Sequence, residues 1–182
     1  MLRFSTEQVF DGSNQFYDED SALSPATAYG RSKALAEALV LDSGGCVVRL
    51  PLLLGPNYQS SGGGADYALL AALKNNKSPG LFADEWRAPV AADVVWPMIK
   101  QLGERKIRGV FHLAGADVVT RYQLGHLVCE AAKVAPSFLQ SSIADFSGPR
   151  RSPRLALRSL SAQKVLGYRP PSLGETLRRL HS

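Results

Sequence analysis

Short apolar runs of strand length alternate with longer segments of helical spacing along this chain. That alternation restricts it to an α/β layer built on a parallel sheet. The strand-like runs are Leu2 to Thr6, Cys46 to Leu50, Leu81 to Ala83 and Gly109 to Leu113. Helices are expected from Pro25 to Leu41, closed by Gly44-Gly45, and from Ala65 to Asn75. A third runs from Ala92 to Leu102, where Pro97 should delay or kink it. Thr120-x-x-Gln123 forms a capping box opening a helix to about Val134, and Ser172-x-x-Glu175 opens the last one. A Pro/Gly/Ser loop leads from Leu50 to Gly64. Open parallel sheets bind ligands at the carboxyl ends of their strands, and the first strand delivers Ser5 and Thr6 there.

Chemistry enters with Ala28-Tyr29-Gly30-Arg31-Ser32-Lys33, which sets a phenol and an amine four residues apart on one helix face. A free phenol titrates near pH 10 and is a poor acid at neutrality, but a nearby ammonium favours the phenolate. Such a pair can exchange a proton with a carbonyl or alcohol oxygen.

Context strengthens this reading. Ser5-Thr6-x-x-Val9-Phe10-x-Gly12 is followed by an acidic loop, Tyr17-Asp18-Glu19-Asp20, then Ser24-Pro25 and Tyr29-x-x-x-Lys33-x-x-x-Glu37. Together these resemble the central part of the extended short-chain dehydrogenase/reductases, and most nearly the dTDP-4-dehydrorhamnose reductase group. The likeness continues through Arg49-Leu50-Pro51-Leu52-Leu53-Leu54-Gly55-Pro56, Trp86-Arg87-Ala88-Pro89-Val90 with Asp93, and Arg150-Arg151-Ser152-Pro153-Arg154, so that it covers nearly the whole chain.

The resemblance implies a partial Rossmann-like parallel sheet with helices and a small C-terminal substrate-binding subdomain. Residues 1–55 would be the catalytic segment, and 56–182 mainly substrate-binding with returning core elements. It implies a catalytic trio of Thr6, Tyr29 and Lys33, with Ser5 as the neighbouring hydroxyl candidate. NADP or NAD would be the cofactor, held by Ser5, Tyr29, Lys33, Leu50 and Leu52. Asn57, Arg87 and Arg151 would meet a nucleotide-sugar substrate. Leu52 stands where such reductases usually carry tryptophan, and Glu7-Gln8 replaces the more usual Asp-Tyr. The regulatory subunit of methionine adenosyltransferase resembles the same reductases, so a dinucleotide-binding interaction protein is the alternative expectation.

No glycine-rich turn of the Gly-x-x-Gly-x-x-Gly or Gly-x-Gly-x-x-Gly kind follows a strand. The chain is therefore expected to be the C-terminal part of a longer reductase or a truncated relative, and alone not a competent enzyme. Gly62-Gly63-Gly64 reads as a connector before the helix at Ala65.

A 182-residue chain with 45% hydrophobic and 20% charged residues has the composition of a soluble globular protein with a sizeable core. Neither a membrane-length apolar run nor an export signal is present. Cys46 and Cys129 lack ligand-like spacing and read as buried thiols in a reducing, cytoplasmic setting, and no metal site is assigned. From Pro149 to Ser182 eight basic residues face only Glu175, a local charge of +7, against −2 for the remainder (13 basic, 15 acidic). An anionic partner such as a nucleotide diphosphate suits that segment. No nucleic-acid reading motif accompanies it. A homodimer or a partner subunit is compatible with all of this.

Overall fold

The computed structural model describes residues 1–56, 63–136, 139–142 and 152–182. The chain opens with β1 (Leu2–Thr6), a 3₁₀ turn (Glu7–Val9), α1 (Ala28–Asp42) and β2 (Cys46–Leu50). Next come β3 (Leu53–Leu54), α2 (Ala65–Lys74), β4 (Gly80–Phe82), β5 (Trp86–Arg87), β6 (Val90–Ala91) and α3 (Ala92–Glu104). The last part holds β7 (Gly109–His112), β8 (Val119–Thr120), α4 (Arg121–Ala131), β9 (Gln140–Ser142), β10 (Arg154–Leu155), α5 (Leu160–Leu166) and α6 (Leu173–His181).

The main sheet has the order β1-β2-β7 and is parallel throughout, which bears out the expected α/β class. Alternation along β2 sends its side chains to both faces. Cys46 and Val48 pack with Val95, Ile99 and Leu102 of α3, and with Phe111. Arg49, one residue further, meets Glu37 of α1 instead. Both faces are thus covered, as parallel sheets require. Among the described residues β1 pairs only with β2, and Phe4 on this edge strand is 47% exposed.

A second core gathers Leu69 and Leu73 of α2, Leu124 and Val128 of α4, and Leu173 and Leu177 of α6. Beside it stands a small sheet in the order β10-β5-β8, parallel on one side of β5 and antiparallel on the other. No helix among the described residues is long and apolar enough to cross a membrane. Both cysteines are buried and free, and burial pushes the Cys46 thiol up to about 11.

Several boundaries differ from the sequence expectation. Helix α1 begins at Ala28 rather than Pro25, because Thr27 Oγ accepts the Gly30 N–H at 2.9 Å and caps the helix there. Helix α3 starts on time at Ala92 and runs through Pro97 to Glu104. The proline removes one backbone donor, and the buried stripe Val95, Ile99, Leu102 holds both halves to the sheet. Helix α4 ends at Ala131, short of Val134, with Lys133 in the left-handed region at φ 54°. Helix α5 is absent from the sequence reading; it closes on Gly167 at φ 66°.

Candidate active site

The carboxyl end of β1 and the first turn of α1 meet through an unusually close backbone approach. A methyl group on Gly30 would lie 2.0 Å from the Gln8 carbonyl oxygen, so only glycine lets the helix reach the turn that follows Thr6. Thr27 Oγ1 lies 3.4 Å from Gln8 Oε1 across the same junction. Thr6 itself is extended, and its Oγ1 accepts the Gln8 N–H at 3.3 Å, which opens the 3₁₀ turn. Gly30, the residue between the phenol and the amine, thus sets the distance from their helix to the hydroxyl strand.

Tyr29 is 51% exposed. Lys33 Nζ lies 5.5 Å from the centre of its ring and donates to the Phe4 carbonyl at 3.4 Å. The ammonium is therefore anchored to β1, two residues before Thr6. One face at the end of the edge strand carries the phenol and the amine, beside the Thr6 turn.

Ser5 takes a different direction. It is buried, and its hydroxyl donates to Glu37 Oε1. Neighbouring residues of a strand point to opposite sides, and Ser5 faces α1 from within. The sheet register aligns Ser5 with Arg49 and Arg49 with His112, a row across three strands. Glu37, 1% exposed, lies against this row from α1 and receives Arg49 Nη2 at 2.8 Å and Nε at 3.1 Å. Arg49 Nη1 donates to the Glu19 carbonyl at 3.2 Å and lies 3.2 Å from His112 Nε2. A guanidinium only donates, so His112 accepts through Nε2 and donates from Nδ1 to the Arg158 carbonyl at 3.1 Å. Burial, then the Arg49 charge, pushes the His112 pKa down to about 3 and keeps it neutral. Tyr29, Lys33 and Glu37 follow one another at four-residue steps, so one helix stripe passes from the exposed phenol to this buried carboxylate.

A cavity of about 520 Å³ adjoins Thr6, lined in part by Glu7, Gln8, Thr27, Leu52, Arg87 and Arg121. Arg87 projects from β5 and its Nε lies 3.0 Å from Glu7 Oε1. Glu7 is 5% exposed, and its Oε2 has no hydrogen-bond partner among the described residues. Burial pushes its pKa up to about 8, against the pull of Arg87 and Arg121. Arg121 is the first residue of α4, set there by the capping box in which Thr120 Oγ accepts the Gln123 N–H at 3.0 Å.

Of the residues singled out from sequence, Leu52 and Arg87 line the cavity, and Leu50 ends β2 packed against the main core. Asn57 and Arg151 lie outside the described residues. The Gly63-Gly64 part of the glycine run packs tightly: a Cβ on Gly64 would sit 2.6 Å from Leu54 Cα. No motif in the sequence marks Glu85 or Arg121 as cavity residues. Arg121 follows a cap signal directly, which marks a helix start and is silent about what that start faces.

The chain matches the RmlD substrate binding domain family over residues 1–181. It is 29% identical over 187 residues to the probable low-salt glycan biosynthesis reductase Agl14 of Haloferax volcanii, covering all of this chain and 62% of that protein. It is 29% identical over 149 residues to methionine adenosyltransferase 2 subunit beta of Rattus norvegicus, covering 77% of this chain and 44% of that one. The fold superposes on dTDP-4-dehydrorhamnose reductase of Bacillus anthracis, solved with NADP, at a TM-score of 0.84 and 21% identity, over 98% of this chain and 64% of the other. A dTDP-glucose 4,6-dehydratase of Streptomyces venezuelae, solved with NAD, superposes at 0.82 and 20% identity, over 98% of this chain and 57% of that one. The chain spans roughly three-fifths of the length of that first relative and of these structures. It belongs to the RmlD substrate binding domain family, within the short-chain dehydrogenase/reductase superfamily.

Proposed function

We propose that this chain supplies the proton donor and the substrate wall of an NAD(P)-dependent reductase acting on a 4-keto nucleotide sugar. The observation that carries the reading is the half-exposed Tyr29 with Lys33 beside its ring, at the end of the strand that runs into the cavity wall at Glu7. Tyr29 gives its proton to the ketone oxygen, and Thr6 Oγ steadies that oxygen. Lys33, tethered to the Phe4 carbonyl, has further N–H bonds to offer a ribose hydroxyl. The exposed face of Tyr29 and Lys33 fits the ribose of a nicotinamide cofactor, which when bound supplies the hydride. The apolar side chain of Leu52 and the polar groups of Gln8 and Thr27 line the cavity that begins at Glu7, the residue after Thr6, and would receive the sugar.

Tyr29→Phe removes the proton and keeps the ring. In the enzyme completed with a glycine-rich dinucleotide-binding half, turnover of a dTDP-4-keto sugar should fall by about 10² to 10⁴, the typical contribution of a general acid, while dinucleotide affinity stays near wild type. A variant that retains wild-type kcat/KM would overturn the assignment. The similarity to the methionine adenosyltransferase beta subunit supports a second reading, a dinucleotide-binding regulatory subunit. In that case the completed protein, wild type or variant, would not oxidise NADPH with the keto sugar, and it would co-purify with a synthetase subunit.

A further inference from the structure

The cavity wall beside Thr6 carries one guanidinium more than its own carboxylates use. Arg87 is engaged by the frame. Its Nε faces Glu7 Oε1 at 3.0 Å, and Nη2 lies 3.6 Å from Glu85 Oε2. Its Nη1 donates to the carbonyls of Trp86 at 2.7 Å and Pro153 at 3.4 Å. These contacts fasten β5 to the turn that follows β1 and commit Nε and Nη1 of Arg87 to the frame.

Arg121 is placed differently. It lines the same cavity from the start of α4, and among the described residues its guanidinium makes no hydrogen bond and no ion pair. Burial, then the like charge of Arg87, holds its pKa below the ordinary arginine value, against the pull of Glu85 and Glu7. Glu85 is held against Arg87, and Glu7 is buried and stays protonated up to about pH 8. Both carboxylates of the wall, Glu7 and Glu85, thus lie against Arg87, and neither lies within ion-pair distance of the Arg121 guanidinium. The Oε2 of Glu7, buried and without a partner among the described residues, is a second sign that this wall is completed by something bound.

We infer that Arg121 is the anion-recognising residue of this cavity, taking a phosphate oxygen of the nucleotide-sugar substrate, while Glu7, Arg87 and Glu85 form the fixed frame that holds the wall in place. The inference rests on the reading that this cavity receives the substrate, and it adds the residue that reads its charged part. A planar guanidinium at a helix start suits a phosphate doubly, through its own paired donors and through the positive end of the helix.

Titration calorimetry of the full chain with dTDP and, separately, with NADPH tests this. Arg121→Gln should weaken dTDP binding by about tenfold to a hundredfold, the loss expected for a charged hydrogen-bonding group, and leave NADPH affinity within about twofold. Arg121→Lys keeps the charge without the fork and should fall between the two. It also decides the matter if Arg121→Gln does not fold. Unchanged dTDP affinity in either folded variant would overturn the inference, as would a loss confined to NADPH or a wild-type chain that does not bind dTDP. Tyr29→Phe separates the two readings. If that variant keeps full turnover in the completed enzyme while Arg121→Gln loses dTDP, the catalytic assignment fails and the anion site stands.

Discussion

Two clusters of the same residue types begin two residues apart in the chain, at Ser5 and at Glu7, and behave in opposite ways. In the sheet row, Arg49 meets both oxygens of Glu37, a backbone carbonyl and a histidine nitrogen, and Ser5 completes the carboxylate. In the cavity wall, Glu7 has an oxygen without a partner, and Arg121 is unpaired among the described residues. Both clusters hold Glu and Arg. What separates framework from binding surface is saturation: a buried ionic group with every partner supplied by the chain has nothing left for a ligand, whereas an incomplete set costs stability that a ligand can return.

The two arginines should differ most in what they contribute to folding. Arg49→Met leaves Glu37 as a buried carboxylate without its counter-ion and should cost about 3–5 kcal/mol in urea unfolding. Arg121→Met removes no internal bond and should stay within about 0.5 kcal/mol of wild type. Equal losses would mean that the wall is framework too.

A second measurement sharpens the row. His112 is held neutral, with Arg49 and Asp18 the charged groups that act on it, and its pKa is down at about 3 from 6.5. The unfolded chain binds the extra proton between those values, so this contribution is complete above pH 6.5 and is lost as pH falls toward 3. Stability should drop by up to about 1.4 kcal/mol per pH unit in that window, and His112→Gln should flatten the slope.

The smallest effect belongs to the wall. Glu7 faces Arg87, Arg121 and Glu85, and its pKa stands near 8. As pH rises through that value it ionises and competes with a bound anion for the positive charge. Affinity for dTDP should then fall between pH 7 and 9 by at most about tenfold per unit, and Glu7→Gln should remove the slope. A flat wild-type profile would mean that Glu7 does not feel the ligand.

Much of this was legible in the chain itself. The β1-α1-β2 unit, the capping boxes of α4 and α6 and the Tyr29-x-x-x-Lys33 spacing follow from local periodicity and hydrogen-bonding chemistry, which neighbours in sequence fully specify. Glu37 could be placed on the helix stripe of Tyr29 and Lys33 by spacing alone. That Arg49 would be its partner could not, because it depends on the helix lying across the sheet at one register. The two-residue strands β5, β8 and β10 are too short to carry a period, and they exist only because distant segments meet there. Arg87 and Arg121 are both arginines beside a buried strand or a helix start, and nothing local distinguishes them. The assembled wall decides that one is spent on Glu7 and Glu85 and the other left facing the cavity, since groups 36 and 80 residues apart, the Arg121 backbone N–H on the Glu85 carbonyl and the Arg87 guanidinium on Glu7, are brought together by packing and not by sequence order.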